Sequence, residues 1–188
     1  RQFLAEEMTP EVQRETEPGW HAEGVGLGPA GKALIRKMGE RGYLGLSWPK
    51  EHGGQEKSPL YLFILSEEMA RVNAPIPGLT WTSVAPTLIR VGTEEQKREF
   101  LPRILAGEIE ICLGYTEPGA GSDLASLQFR AKEDGDDFVL NGQKMFTSSA
   151  HCSDYVWLLA RTDPDAPKHK GLSLFLVPLD SEGITIRP

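Results

Sequence analysis

The chain has 188 residues, 39% hydrophobic and 25% charged, which suits one or two globular domains with real cores. A formal net charge of -7 and the lack of any Lys/Arg stripe argue against a general nucleic-acid surface, which must neutralise phosphate. No apolar run approaches the roughly 20 residues that a bilayer span requires. The opening Arg1-Gln2-Phe3-Leu4-Ala5-Glu6-Glu7 lacks the charged-then-apolar order of a signal peptide. Cys112 and Cys152 cannot build a disulfide framework and read as buried free thiols. They suit a reducing compartment, the cytoplasm or one such as the mitochondrial matrix. Four scattered His and these two Cys show no metal-ligand spacing, so no metal site is expected. The absence of an initiator Met, and a strand-like ending at Gly183-Ile184-Thr185-Ile186-Arg187-Pro188, predict a piece of a longer protein.

In chain order, the first part, to about Gly107, is predicted to be helical. Residues 29–41 carry Leu34, Ile35 and Met38 at helical spacing, with Gly42 placed as a C-terminal stop. Ser58-Pro59 supplies an N-cap followed by Pro at the first helical position. Leu62, Leu65, Met69 and Val72 then recur at three- and four-residue steps. Phe63 and Ile64 add apolar bulk on a second side, which predicts a deeply buried helix. Residues 75–90 predict a helix broken near Pro77 and Pro86. Thr93-Glu94-Glu95-Gln96 fits a capping box whose helix runs to Ala106 and ends at Gly107. Trp48, Trp81 and Trp157 read as core or domain-interface residues; Trp20, after Pro18-Gly19, reads as either core or exposed.

Beyond Gly107 the period changes from helical to two. Leu127, Phe129 and Ala131 alternate with Gln128 and Arg130, as in a half-buried strand. Phe138-Val139-Leu140 precedes Asn141-Gly142, a strong hairpin dipeptide. Residues 155–160 form a continuous apolar run, and Leu172, Leu174 and Leu176 alternate again. These short strands suggest a sandwich or barrel. The fold class is therefore α+β, with an all-α N-terminal domain over 1–109 and an incomplete β-barrel-like domain over 110–188.

The segment Leu113-Gly114-Tyr115-Thr116-Glu117-Pro118-Gly119-Ala120-Gly121-Ser122-Asp123 leaves a predicted strand through a loop of small residues. Such a loop lets backbone amides approach a ligand closely, and a diphosphate-like anion is a natural guest. Taken alone, the Glu-Pro-Gly run serves a turn as readily as a ligand. About two dozen residues later, Met145-Phe146-Thr147-Ser148-Ser149 sets an aromatic beside hydroxyls. Glu117 and Asp123 are read as carboxylates that satisfy backbone amides rather than as a general base. His151 and Cys152 are read as strand neighbours facing opposite ways, which excludes a nucleophile–base pair.

A helical half followed by a barrel-like half is an uncommon order. Together with Thr116-Glu117-Pro118-Gly119-Ala120-Gly121-Ser122-Asp123 it resembles the acyl-CoA dehydrogenase family of flavoproteins. Four further segments carry the resemblance in the right order. They are Gly45-Leu46-Ser47-Trp48-Pro49 with Glu51-His52-Gly53-Gly54, Gly92-Thr93-Glu94-Glu95-Gln96-Lys97, Leu101-Pro102, and the run from Asp136 to Lys144.

The resemblance implies FAD as cofactor and oxidation of an acyl-CoA thioester to the 2-enoyl-CoA, with electrons leaving through an electron-transferring flavoprotein. It places Leu113, Tyr115 and Thr116 along the flavin, Gly121 and Ser122 near the diphosphate, and Ser122 also within reach of acyl-CoA. Phe146, Thr147 and Ser148 would cover the other side of the ring. The catalytic base of the family lies on a C-terminal helical bundle, which this chain lacks, so no catalytic residue is expected here and the fragment alone should be inactive.

Where the family commonly has Trp, this chain has Phe146, and Thr147-Ser148-Ser149 stands for the usual Ile-Thr-Asn. Those smaller side chains would leave room for a bulkier acyl group. The family's assemblies imply a homodimer or homotetramer, with a heteromer as an alternative. Two other readings keep the fold: an acyl-CoA oxidase or flavin monooxygenase, and a non-catalytic partner subunit.

Overall fold

Local sequence signals set most of the helix boundaries in the first half of the chain. The structure is a computed structural model that describes residues 1–17, 27–75 and 78–187. The expectations for Pro18-Gly19-Trp20 and for a break at Pro77 lie outside the described residues. Helices α1 (Gln2–Glu7) and α2 (Pro10–Glu15) come first, and Thr9 caps α2 by accepting from the Val12 amide. Helix α3 (Pro29–Glu40) buries Leu34, Ile35 and Met38 as their spacing predicts, and Gly42 follows it with φ +73°. Helix α6 (Glu94–Leu105) opens with a complete capping box. Thr93 N–H donates to Gln96 Oε1 at 2.9 Å, and Gln96 N–H donates to Thr93 Oγ1 at 3.2 Å.

Two helical expectations need correction. Helix α4 (Pro59–Arg71) is not deeply buried. Met69 is buried, but Leu60, Tyr61, Leu62, Phe63 and Ile64 are all exposed, Phe63 at 60%. Apolar bulk on two sides of a helix records a demand for partners, and no described residue covers these first turns. The helix over α5 (Ala85–Val91) is not broken at Pro86 either. A five-residue π-type turn, Thr80–Val84, runs straight into α5. A Pro has no N–H for the i→i−4 ladder, and a wider turn absorbs that loss. Trp81, within this turn, is buried and donates its indole N–H to the Ile104 carbonyl at 3.0 Å, which ties it to α6.

The described chain divides into two compact units, Arg1–Glu110 and from Ile111 onward. The second is built on strand β4 (Tyr155–Arg161), whose apolar run is mostly buried. Along one edge it pairs antiparallel with β5 (Leu172–Pro178) over its whole length. Its other edge is shared. Strand β1 (Ile111–Gly114) runs parallel to Tyr155–Leu158, and β2 (Arg130–Asp134) meets it, also parallel, only at Arg161. The chain thus leaves the sheet at Gly114 and returns to the same edge at Arg130. Everything between is an excursion from that edge.

Cys112, Val156 and Leu158 form a buried cluster, with Phe129, Leu140, Phe175, Val177 and Leu179 packed against it. The alternation in β5 is present, but Phe175 and Val177 face this core while Leu174 is exposed. Trp48 and Trp157 are buried, as expected of core residues. Of the two thiols, Cys112 is buried and Cys152 is half-buried, and neither is in a disulfide.

The expected turn at Asn141-Gly142 also moves. Strand β3 (Asp137–Asn141) pairs antiparallel with β2, from Asp134↔Asp137 to Arg130↔Asn141, so the hairpin closes at Gly135-Asp136. Both dipeptide sites carry turn chemistry, and the strand that precedes Gly135 decides between them. Leu127 and Phe129 precede β2 rather than belong to it, after a short 3-10 turn at Leu124–Ser126. Gly142 has a different task. With φ +151°, it lies so close to Phe129 that an added Cβ would meet that ring at 2.7 Å.

Two stability outcomes follow. Gly142→Ala should destabilise the protein by about 1–3 kcal/mol through overpacking against Phe129 and the strained φ, read as a lower urea midpoint. Thr93→Ala should remove one arm of the capping box and cost roughly 1 kcal/mol, read as a lower Tm with unchanged denaturant slope.

Candidate functional site

The excursion between β1 and β2 begins at Gly114 with a sharp reversal. Glu117 N–H donates to the Ala120 carbonyl at 2.9 Å, and Ala120 N–H returns the bond to the Glu117 carbonyl at 3.2 Å. Pro118 and Gly119 form the exposed tip, in keeping with the turn propensity of Glu-Pro-Gly. Gly121 and Ser122 follow, also exposed. At Gly119 and Gly121 an added Cβ would meet nothing within 4 Å, and neither has a positive φ. Nothing within the fold requires glycine there. Bare amides and open space are what a closely approaching guest needs.

Before the turn, Leu113, Tyr115 and Thr116 are half-buried. Burial pushes the Tyr115 phenol above its usual range, opposed by a hydrogen bond with the Trp157 side chain. Beyond the turn, Asp123 does not cap backbone amides as its sequence context predicts. Its carboxylate takes the Ser126 hydroxyl at 2.5 Å and pairs with Lys168. Those two bonds, Lys168 first, hold it below the usual carboxylate range.

The second predicted segment comes to the first. Met145 N–H donates to the Thr116 carbonyl at 2.8 Å, and Lys144 Nζ donates to the Tyr115 carbonyl at 3.1 Å. Phe146 then turns outward with φ +55° and is 82% exposed. Ser149 also has a left-handed backbone, φ +65°. Non-glycine residues in this region carry strain, and strain of this kind gathers at functional sites. Thr147 is half-buried and Ser148 exposed within the same turn. An aromatic ring held in water on a strained backbone awaits a partner surface. His151 and Cys152 lie in this turned segment rather than on a strand, and Cys152 Sγ bonds the Ser149 carbonyl at 3.3 Å.

The two segments thus meet at Tyr115-Thr116 and Lys144-Met145, with Leu113 before the junction on β1, Phe146, Thr147 and Ser148 directly after it, and Gly121 and Ser122 beyond the turn. The exposed aromatic ring, the hydroxyls of Thr147 and Ser148 and the glycine-lined turn are residue types able to contact a planar group and a diphosphate. Among the described residues no group of acidic, His and Cys side chains could hold a metal, and no helix is long and apolar enough to cross a membrane.

Two features escape sequence reasoning. One is the partner of Glu117. Its carboxylate accepts the Gln128 amide at 2.6 Å, the Phe129 amide at 2.9 Å and Lys144 Nζ at 2.8 Å. Both side chains of the pair are below 10% exposed. Burial pushes the Glu117 carboxyl up, but the two amides and the ammonium outweigh it and leave the group below the usual carboxylate range. The amide-binding role expected of Glu117 is thus present, and Lys144 is the unforeseen addition. The other feature is Arg161. Its guanidinium donates to the Leu127 and Ala125 carbonyls at 3.1 and 2.6 Å, which pins the far end of the excursion. No spacing rule links residues 27 or 34 positions apart, so neither contact has a signal in the sequence.

The sequence matches the family models described as the N-terminal domain of acyl-CoA dehydrogenase, over residues 1–108, and its middle domain, over residues 112–188. Acyl-CoA dehydrogenase FadE26 of Mycobacterium tuberculosis is 49% identical over all of this chain and 47% of its own length. The chain thus spans about half the length of the curated relatives it matches. Among solved structures, the ChsE4-ChsE5 complex from Mycobacterium tuberculosis matches with a TM-score of 0.84 and 48% identity, over 97% of this chain and 45% of that one. The Tcur3481-Tcur3483 steroid ACAD matches with a TM-score of 0.85 and 47% identity, over 97% and 47% respectively. The chain, whose described residues form a helical unit and a β unit that presents the turn at Glu117–Ala120 and the exposed Phe146, belongs to the acyl-CoA dehydrogenase family.

Proposed function

We propose that the protein takes part in FAD-dependent α,β-dehydrogenation of a CoA thioester with a bulky, steroid-type acyl group, as one component of a two-component complex. The observation that carries this reading is the junction of Thr116 with Met145, which sets the strained, exposed Phe146 beside the segment from Leu113 to Thr116. FAD, when bound, supplies the hydride acceptor for the reaction. Leu113, Tyr115 and Thr116 would line one side of it, and Phe146, Thr147 and Ser148 the other. The exposed amide at Gly121 and the hydroxyl of Ser122 would meet its diphosphate, with Ser122 also facing acyl-CoA.

Among the described residues none is assigned as catalytic base. Glu117, the buried carboxylate nearest the proposed flavin walls, is engaged by three donors. The base is assigned to the part of the protein beyond these 188 residues, so the chain by itself should not turn over substrate. Two observations support the substrate class. Phe146, Thr147 and Ser149 are smaller than the Trp, Ile and Asn common in the family, and a relative of 47% identity is titled a steroid ACAD. Both structural relatives named above are two-component assemblies, which supports a heteromer over a homodimer or homotetramer. An electron-transferring flavoprotein is the proposed acceptor.

The full-length protein, purified with its partner, should be yellow. Anaerobic mixing with a steroid acyl-CoA should bleach the flavin band at least about ten-fold faster than a straight-chain acyl-CoA of equal concentration, a preference of ~1.4 kcal/mol. The reduced enzyme should reoxidise slowly in air; rapid reoxidation would instead identify an oxidase. Phe146→Ala should raise the FAD Kd roughly ten-fold, the cost of losing one stacking wall. A complex that binds no flavin would overturn the reading.

A further inference from the structure

We infer that Glu117 and Lys144 form a positioning clamp that sets the separation of the two proposed flavin walls, an assignment that rests on the flavin reading above. Glu117 directly follows the first wall in sequence and Lys144 precedes the second by two residues, and a buried 2.8 Å ion pair joins them. Each partner also binds the backbone of its surroundings. Glu117 holds the amides of Gln128 and Phe129, which anchors the return of the excursion. Lys144 donates to the Tyr115 carbonyl, one residue before the Thr116 carbonyl that accepts Met145 N–H. The three bonds from Lys144-Met145 to residues 115–117 leave the second wall little freedom to slide along the first.

The surroundings are shaped for this pair. Lys144 Nζ lies 5.3 Å from the Phe129 ring centroid, a cation–π contact in a water-poor setting. The same ring packs against Gly142, where a side chain would push it away. Thus Gly142, Phe129, Lys144 and Glu117 form one continuous stack from the end of β3 to the turn. A hydrophobic pair in the place of Glu117 and Lys144 would often stabilise a fold equally well, because burying two charges costs much of what their attraction returns. A buried pair that also directs three backbone groups has a geometric task, and here that task is wall spacing. Neither side chain reaches the open surface, so both act through residues 115, 116, 145 and 146.

The test uses the full-length protein with its partner and four forms: wild type, Lys144→Arg, Lys144→Met, and the neutral pair Glu117→Gln/Lys144→Met. The readouts are FAD Kd, the vibronic shoulders of the flavin band, and the flavin reduction potential, each beside far-UV circular dichroism and apo-protein Tm. The neutral pair removes the buried charge problem, so it keeps the comparison valid if Lys144→Met fails to fold. Expected is a native circular dichroism spectrum for the neutral pair, with an FAD Kd on the order of ten-fold higher and blurred shoulders. Lys144→Arg should restore part of both. The clamp is overturned if the folded neutral pair binds FAD with wild-type affinity, spectrum and potential. A colourless wild type would instead overturn the flavin reading, and the clamp with it.

Discussion

A carboxylate can be taken out of water only if its oxygens find donors, and at Glu117 this requirement organises the whole β unit. Two backbone amides and one ammonium must converge on it. The amides come from Gln128 and Phe129, so the chain that left β1 must come back past the turn before it enters β2. The ammonium comes from Lys144, so the segment after β3 must pass beneath the same turn. Breaking one partner of such a cluster strands a buried charge, which makes the arrangement all-or-none. The loop is therefore as firmly held as a strand, without being one.

The sheet supplies the complementary constraint. Strand β4 offers one edge to both β1 and β2, and the register leaves residues 115–129 no place within the ladder. Arg161, at the end of β4, compensates by binding three backbone positions of the returning chain, its own N–H included. The excursion thus has its ends fixed by the sheet and its middle fixed by Glu117. What remains outside is the tip, Pro118-Gly119, and the open amide of Gly121. A surface of this kind is rigid where it must place walls and bare where it must admit a guest, which is the combination the proposed flavin site needs.

The helical unit shows the opposite balance. Its helix starts at Ser58 and Thr93 are legible one by one, because a cap is a contact over two or three residues. Helix α4 departs from its expected burial because the apolar turns from Leu60 to Ile64 state a preference without naming the surface that satisfies it. Pro86 does not break its helix because a wider turn, tied down by Trp81, precedes it, and that turn has no signal in the local sequence. Of the candidate site, both loop segments and the aromatic Phe146 were visible in the sequence. Neither their junction nor the clamp beneath it was.

The amino-acid sequence by itself determined the order of the two domains, the helix caps, the alternating strands and the small-residue loop. These rest on interactions within a few positions of one another, where residue type and spacing suffice. Only the tertiary structure decided that the hairpin closes at Gly135 rather than Gly142, that β1 and β2 share one edge of β4, and that Thr116 meets Met145. It also decided that Glu117 serves Lys144 and two amides. Such pairings join residues tens of positions apart, and their energy exists only once a common core has excluded water from the charges and fixed the strands that carry them.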